Sequence, residues 1–358
     1  MYSVEELQDI RGNIASELHM ARRGAPTKFA FARHRYSSTG DNDGKTVQVM
    51  VVGGTNLTVA LVKSGRNNVE ILTSLTEPLP ILHSKTALLE LIDKYFIHET
   101  EILCINFAYP LDPINRDGKL DGILLKGTKE HDFVGLVGER IGETIEQHLR
   151  DRTDRKIDVA LANDTVCLVI SGVGKWDRTT LTGGVVGTGF NFGFFLDEKT
   201  VINVESGNFD RFPQTDSGRI IDDNSNDRGC QLFEKEVSGA YLYRHYNLYV
   251  EQTGIGSPTI TSSQELAAIA EGSTIGAECA RKLFERSASL AASLIAGIHD
   301  FKNEERMNIL IEGSLYWKGW NYPGFVQQYL EKLGIPTNKV QIHYIQHSSV
   351  VGASRLWS

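Results

Sequence analysis

The chain has 358 residues, of which 41% are hydrophobic and 23% charged, and a formal net charge of −8. That length suits two domains with cores of their own, and the composition argues against a disordered chain. The acidic balance speaks against a nucleic-acid surface or an anionic membrane as the main partner, while leaving room for a local basic pocket.

Ser3 and Glu6 form a capping-box pattern, and Val4, Leu7, Ile10, Ile14 and Leu18 recur at helical spacing, which predicts a first helix ending near Gly24. Residues 29–36 read as extended and basic, and 37–44 as a polar turn. Residues 47–52, 57–63 and 69–75 read as three strands of a meander whose first turn is Gly53-Gly54-Thr55-Asn56. A helix over 84–96 and a strand over 102–107 follow. Residues 108–131 read as a long polar loop, with turn signals at Asp112-Pro113, Asn115-Arg-Asp-Gly118 and Lys126-Gly-Thr-Lys129. Val134, Val137, Ile141, Ile145 and Leu149 predict a helix that leads into the next strand.

That strand, Val159-Ala-Leu-Ala162, runs straight into Asn163-Asp164-Thr165, after which 166–170 resume an apolar, helical run. A carboxylate at the end of a core strand is what an open α/β sheet presents to its ligand, and it can act as a general base toward a substrate hydroxyl. The same two residues also suit the N-cap of the helix that follows. Next, Gly183-Gly184-Val-Val-Gly187-Thr188-Gly189-Phe190-Asn191-Phe192 repeats the design of strand, glycine turn and strand, and 201–205 adds a third strand. The second half therefore opens as the first does, which suggests a duplicated architecture. Residues 229–251 read as one long helix, 263–271 and 273–298 as two more, and 325–333 as another. Residues 307–311 form a strand ending in Glu312-Gly313-Ser314, and 340–345 a last strand. Two α/β halves facing each other across a cleft is the economical arrangement.

Four cysteines, Cys104, Cys167, Cys230 and Cys279, show no CxxC or short Cys/His spacing, so they read as reduced thiols of a cytosolic protein and not as a disulfide frame or zinc site. The start lacks a signal peptide's apolar core, and no apolar run is long enough to span a bilayer, so a soluble cytoplasmic protein is expected. Glycine lets backbone N–H groups approach an anion closely, so the two glycine turns could grip a phosphate chain; simple hairpin geometry accounts for them equally well. Asn163, Asp164, Asn191, Glu205, Gln231 and Glu234 all fall near the ends of predicted elements, as groups that read a polyhydroxylated ligand would.

The densest pattern is Thr215-Asp-Ser-Gly-Arg-Ile-Ile-Asp222-Asp-Asn-Ser225-Asn-Asp-Arg-Gly229-Cys-Gln231-Leu-Phe-Glu234-Lys235-Glu-Val-Ser-Gly239-Ala-Tyr241-Leu242. Around it lie Ala25-Pro26-Thr27, Gly53-Gly-Thr-Asn56, Phe107-Ala-Tyr-Pro110, Thr128-Lys129, Asn163-Asp-Thr165, Gly187-Thr-Gly-Phe-Asn191, Asn203-Val-Glu205-Ser-Gly207-Asn-Phe209 and Gly313-Ser-Leu-Tyr316. In this order the chain resembles the hexokinase family of the actin-like ATPase superfamily. The resemblance implies an α/β, two-domain actin-like ATPase (ribonuclease H-like) fold with duplicated β-β-β-α-β-α units around a cleft. Residues 1–45 would be an N-terminal helix and lead-in on the large domain, 46–163 the small domain, and 164–358 the large domain, whose C-terminal end could return to the small one.

The resemblance further implies ATP and Mg²⁺ as cofactors and a hexose, glucose above others, as substrate. The expected partners are those two small molecules, not nucleic acid or membrane, in a monomer or homodimer. Asp164 would take the proton from the sugar 6-hydroxyl. Thr128, Lys129, Asn163, Asn191, Glu205 and Glu234 would hold the other hydroxyls, with Gln231 in support. Gly53, Gly54, Thr55 and Asn56, with Gly187, Thr188 and Gly189, would cradle the ATP phosphates, and Gly313 and Ser314 would line the adenosine pocket. No residue is assigned as a metal ligand. In the family, domain closure on the sugar assembles the site, and the loop around Thr128 and Lys129 would be the moving part.

The chain departs from the family pattern at several positions. Val51 and Thr58 stand where the first phosphate motif has Asp and Arg. Ala108 replaces a serine that usually touches the sugar, Gly218 an Asp, and Arg228 a Pro. These changes spare the base and most sugar-facing positions while thinning the nucleotide side. Two readings follow: an active hexose kinase, or a catalytically weak sugar-binding sensor.

Overall fold

The computed structural model describes residues 1–37, 44–65, 68–127 and 131–357. Thr128 and Lys129 lie outside the described residues. In chain order come α1 (Val4–Arg22), β1 (Ala32–Arg35), β2 (Thr46–Val52), β3 (Asn56–Ser64), β4 (Val69–Pro78), α2 (Lys85–Tyr95) and β5 (Ile102–Phe107). Next are β6 (Leu111–Arg116), β7 (Lys119–Leu124), α3 (Ile141–Thr153), β8 (Asp158–Ala162) and α4 (Asp164–Ser171). The second half holds β9 (Leu181–Val186), β10 (Phe190–Asp197), β11 (Thr200–Asn203), α5 (Asp216–Asp223), α6 (Leu232–Val237), α7 (Gly239–Thr253), α8 (Ser263–Ala270) and α9 (Ile275–Lys302). It closes with β12 (Met307–Glu312), α10 (Ser314–Lys318), α11 (Tyr322–Lys332), β13 (Val340–His343) and α12 (Ser348–Ser354). None of the described helices is long and apolar enough to cross a membrane.

The same strand order occurs twice. One sheet runs β4-β3-β2-β5-β8, and the other contains β11-β10-β9-β12-β13. Each is a meander of three strands followed by two more added beside the first, which is the duplication suggested by the glycine-turn repeat. Where the pairings are resolved, β2 is antiparallel to β3 but parallel to β5, β5 is parallel to β8, and β12 to β13.

The chain divides into two compact units, Met1–Phe31, Thr182–Phe192 and Val204–Tyr344 in one, and Ala32–Leu181, Gly193–Asn203 and Ile345–Ser358 in the other. Residues 164–181 and 193–203 thus belong to the unit that holds the β2-to-β8 sheet, whereas the sequence reading put them in the large domain after 163. The reason is helix packing. Gly352 of α12 sits so close to the Cys167 carbonyl of α4 that a Cβ would collide with it. Arg355 then donates to the Ser171 carbonyl at 3.0 Å, closing the C-terminal end of α4. Every residue of β5 is buried, as expected of a parallel strand covered on both faces. Met50, Val52, Leu103, Ile105, Val159 and Leu161 share a core with Leu88 and Ile92 of α2 and Ile141 and Ile145 of α3.

Two expectations fail in this unit. Residues 108–131 are not merely a loop, because β6 and β7 form a hairpin. Its turn is Asp117-Gly118 with φ of 51° and 84°, the pair of left-handed residues that a tight hairpin requires. The helix expected from Val134 starts only at Ile141, and Val134 and Val137 are exposed. Its start is set from a distance. Arg140 makes no side-chain cap, while the buried Asp121 carboxylate accepts from Gly142 N at 2.7 Å and Glu143 N at 3.1 Å. A carboxylate there also suits the positive end of the helix dipole.

In the other unit α1 packs on α9, where Gly297 admits Ile14; a Cβ at 297 would stand 2.6 Å from the Ile14 side chain. Arg11 clamps Asp300 through two 2.6 Å bonds. The single helix expected over 229–251 is instead α6 and α7, broken at Ser238, which is extended with ψ of 158°. The third strand expected over 201–205 stops at Asn203, and Glu205 adopts a left-handed conformation. Residues 29–36, read only as extended, supply β1, which within the β2-to-β8 unit pairs antiparallel with β11.

Candidate functional site

Asp164 is the first residue of α4. Asn163 Oδ1 accepts the Thr165 N–H at 3.0 Å, so Asn163 is the N-cap, as one of the two sequence readings held. Asp164 Oδ1 accepts the same N–H at 2.7 Å. Its other carboxylate oxygen takes no hydrogen bond from a described residue, and the side chain is only half-buried. Asn163 therefore caps the helix, while Asp164 is held through one oxygen only among the described residues.

The 53–56 turn closes the β2–β3 hairpin with Gly53 N donating to Asn56 O at 3.1 Å. The Gly53 carbonyl accepts from Tyr109 Oη at 2.9 Å, and Leu79 N donates to the Thr55 carbonyl at 2.8 Å. Val51 and Thr58 are directly opposite each other across this hairpin. The two departures from the family pattern therefore form one facing pair, and here that pair is neutral. Thr58 Oγ1 instead pairs with Thr76 Oγ1 at 2.9 Å on β4.

The 187–189 turn between β9 and β10 is held in the same way, by different atoms. Gly187 N donates to Gly189 O at 3.0 Å, Gly239 N to Gly187 O at 2.8 Å and Ala240 N to Thr188 O at 3.1 Å. The break at Ser238 now has its cause: the first amides of α7 are spent on this turn. A Cβ at Gly239 would stand 2.9 Å from the Gly187 carbonyl. Gly313 comes equally close behind the turn, with φ of 119° and room for no Cβ against the Val186 carbonyl. Ser314 lines a cavity of about 320 Å³ with Ser263, Gln264, Glu271, Phe284 and Lys318.

Glu234 and Asn191 each bind backbone next to this turn. Glu234 Oε2 accepts Phe190 N at 2.8 Å, and a Cβ at Gly189 would lie 3.4 Å from that oxygen. Asn191 Oδ1 accepts Phe192 N at 2.7 Å and Ser206 N at 3.1 Å, which ties β10 to the turn after Glu205. Glu205 and Gln231 both have positive φ, 54° and 51°. Such backbones cost about 1–3 kcal/mol each in a non-glycine residue and gather at functional sites.

A family model described as Hexokinase matches residues 181–249 and 258–356. A chloroplastic hexokinase of Oryza sativa subsp. japonica is 28% identical over 62% of this chain and 50% of its own length. A hexokinase of Emericella nidulans is 25% identical over 87% of this chain and 79% of its own. The hexokinase of Schistosoma mansoni, solved in complex with glucose, superposes with a TM-score of 0.82 at 19% identity, covering 99% of this chain and 95% of that one. Over residues 181–356 the chain is similar to the hexokinase family. It spans about half the length of the rice relative it matches.

Much of the densest motif is scaffolding that sequence reading did not separate from ligand contacts. Lys235 is fully buried, with Nζ 2.7 Å from Asp222 and 2.9 Å from Asp227. Burial works against its charge, but these two partners outweigh it and raise the ammonium pKa. The Asp222 carboxylate also accepts Gly229 N at 3.0 Å, so the turn before Gln231 is kept with Arg228 in place of the family's Pro. Arg228 itself is exposed and pairs with Asp223 at 2.7 Å. Lys235 and Glu236 thus hold the segment from Thr215 to Gly229, while their neighbour Glu234 holds Phe190. The signal was present in the spacing, but spacing alone does not say which member of a motif faces ligand and which faces protein.

Proposed function

We propose that this chain is an ATP-dependent hexose kinase, transferring the γ-phosphoryl group to the 6-hydroxyl of a hexose, glucose above others. The observation that carries this reading is the half-buried Asp164 carboxylate, tied through one oxygen to Thr165 and, among the described residues, without a donor on the other. In the step, the hydroxyl proton passes to Asp164, an O–P bond forms at the sugar oxygen, and the bond from the γ-phosphorus to ADP breaks. Asn163, Asn191, Glu205, Gln231 and Glu234 are assigned to the sugar hydroxyls, and Thr128 and Lys129 share that assignment on the family pattern.

Each of the two glycine turns, with its carbonyls engaged by protein, fits phosphate oxygens. They do not fit a protein-held cation, because the first turn has Val51 where a carboxylate would stand. Mg²⁺ would be carried by the nucleotide's own phosphates, and the chemistry it supplies is charge neutralisation there. The 320 Å³ cavity beside Ser314 supports placing adenosine there. Four free cysteines support a cytoplasmic location.

The neutral Val51–Thr58 pair favours a second reading, a sugar-binding sensor with little turnover. ADP release from Mg-ATP with and without millimolar glucose separates the two. Glucose-dependent release with hexose 6-phosphate as co-product supports the kinase. A glucose-induced rise in melting temperature without release supports the sensor. No response to any hexose in either assay overturns both.

A further inference from the structure

Each carbonyl of the 53–56 turn is turned into the protein. Tyr109 Oη donates to Gly53 O at 2.9 Å, Leu79 N to Thr55 O at 2.8 Å and Gly53 N to Asn56 O at 3.1 Å. The remaining carbonyl, that of Gly54, is 3.4 Å from His131 Nε2. The tautomer follows from the other side of the ring. His131 Nδ1 accepts the Leu82 N–H at 2.9 Å, so a neutral ring carries its proton on Nε2, the atom facing Gly54 O. Tyr109 and His131 are 1% and 4% exposed. Their rings meet edge to face at 5.5 Å, and both pack on Phe133.

In a trans peptide the carbonyl and the following N–H point in opposite directions. Holding Gly53 O and Gly54 O inward therefore aims the N–H groups of Gly54 and Thr55 outward, and among the described residues nothing accepts either of them. We infer that Tyr109 and His131 are positioning residues for the phosphoryl donor: they aim these two N–H groups at its phosphates. With Val51 and Thr58 both neutral, the β2–β3 hairpin offers no charge at that pair, so the aim of the turn's backbone dipoles bears on its affinity for anions. This rests on the phosphate-cradle reading of the turn.

The test compares Tyr109→Phe, His131→Leu and His131→Gln in the full chain. Tyr109→Phe and His131→Leu should each raise the KM for ATP about 3- to 10-fold, the worth of a modest hydrogen bond, with the hexose KM unchanged. His131→Gln can still accept from Leu82 and donate to Gly54, so it should restore the ATP KM. An unchanged ATP KM in the first two variants, or equal losses for both substrates, overturns the inference while leaving the kinase reading intact. If the wild-type chain shows no turnover, the kinase reading fails, and calorimetric titration with inorganic tripolyphosphate decides the inference. Binding weakened by Tyr109→Phe upholds it, and wild-type binding that is absent or unaffected by the variant overturns it.

Discussion

The Glu236 carboxylate fills the space beside Gly218, so closely that a Cβ at 218 would overlap Oε1 and stand 2.7 Å from Cδ. The same carboxylate accepts both the N–H and the hydroxyl of Thr215 at 2.8 Å, and it is 3.2 Å from the Arg286 guanidinium. Gly218, which looked like the loss of a motif Asp, is therefore matched to its surroundings: the acid there is supplied by a neighbouring helix.

Gly218→Ala should accordingly destabilise the protein by about 1–3 kcal/mol, the usual cost of overpacking a filled site. Urea denaturation measures it. In a Glu236→Ala background the added cost of Gly218→Ala should fall close to zero, since the colliding atoms are gone. Equal costs in both backgrounds would show that the two residues do not share this space.

Lys235→Met should be harsher. It leaves Asp222 without its buried cation and removes a bond to Asp227, and breaking such a pair costs about 3–5 kcal/mol. Because Glu234 precedes Lys235 on α6, the hexose KM should rise along with the loss of stability. A variant with wild-type stability would place the weight of the motif elsewhere.

Stability should fall as pH drops below the ordinary histidine range. Burial pushes His34 down from 6.5 to about 4, and burial followed by the nearby Arg286 pushes His245 down to about 3. Between those values and 6.5 the unfolded chain binds protons that the folded chain does not, so stability rises with pH there and is fully present above 6.5. Each histidine contributes a slope of about 1.4 kcal/mol per pH unit. Urea midpoints across about pH 5 to 7 read this directly, and a flat profile would contradict it.

Asp164→Ala should lower turnover by about 10²-fold or more while sugar-dependent thermal stabilisation persists. Asn163 carries the helix cap on its own, so the variant should fold normally. Unchanged phosphorylation would remove Asp164 as the base.

Gly239→Ala should act on the 187–189 turn through a contact 52 residues away in sequence, because its Cβ would press on the Gly187 carbonyl at 2.9 Å. The expected result is a higher KM for ATP with little change in the hexose KM. A nucleotide-independent loss of stability alone would mean that the contact is only structural.

The sequence by itself determined the periodic elements, the two glycine turns, the Asn163-Asp164 strand end and the repeated strand design. These are local signals: side-chain period, turn chemistry and the residues that flank them. It also held the Asp117-Gly118 hairpin signal, which a polar composition obscured. What it could not carry were decisions made by distant partners. Val134 and Val137 fit the helical period, yet α3 starts at Ile141, because the cap comes from Asp121 on another strand. Ser238 lies within a good helical run, yet the helix breaks there, because Gly239 N–H is needed by Gly187. Val51 and Thr58 were legible as departures from one motif, but only the hairpin register sets them face to face. In each case local propensity is worth a few tenths of a kcal/mol per residue, less than one buried hydrogen bond or one excluded Cβ, so the tertiary contact prevails.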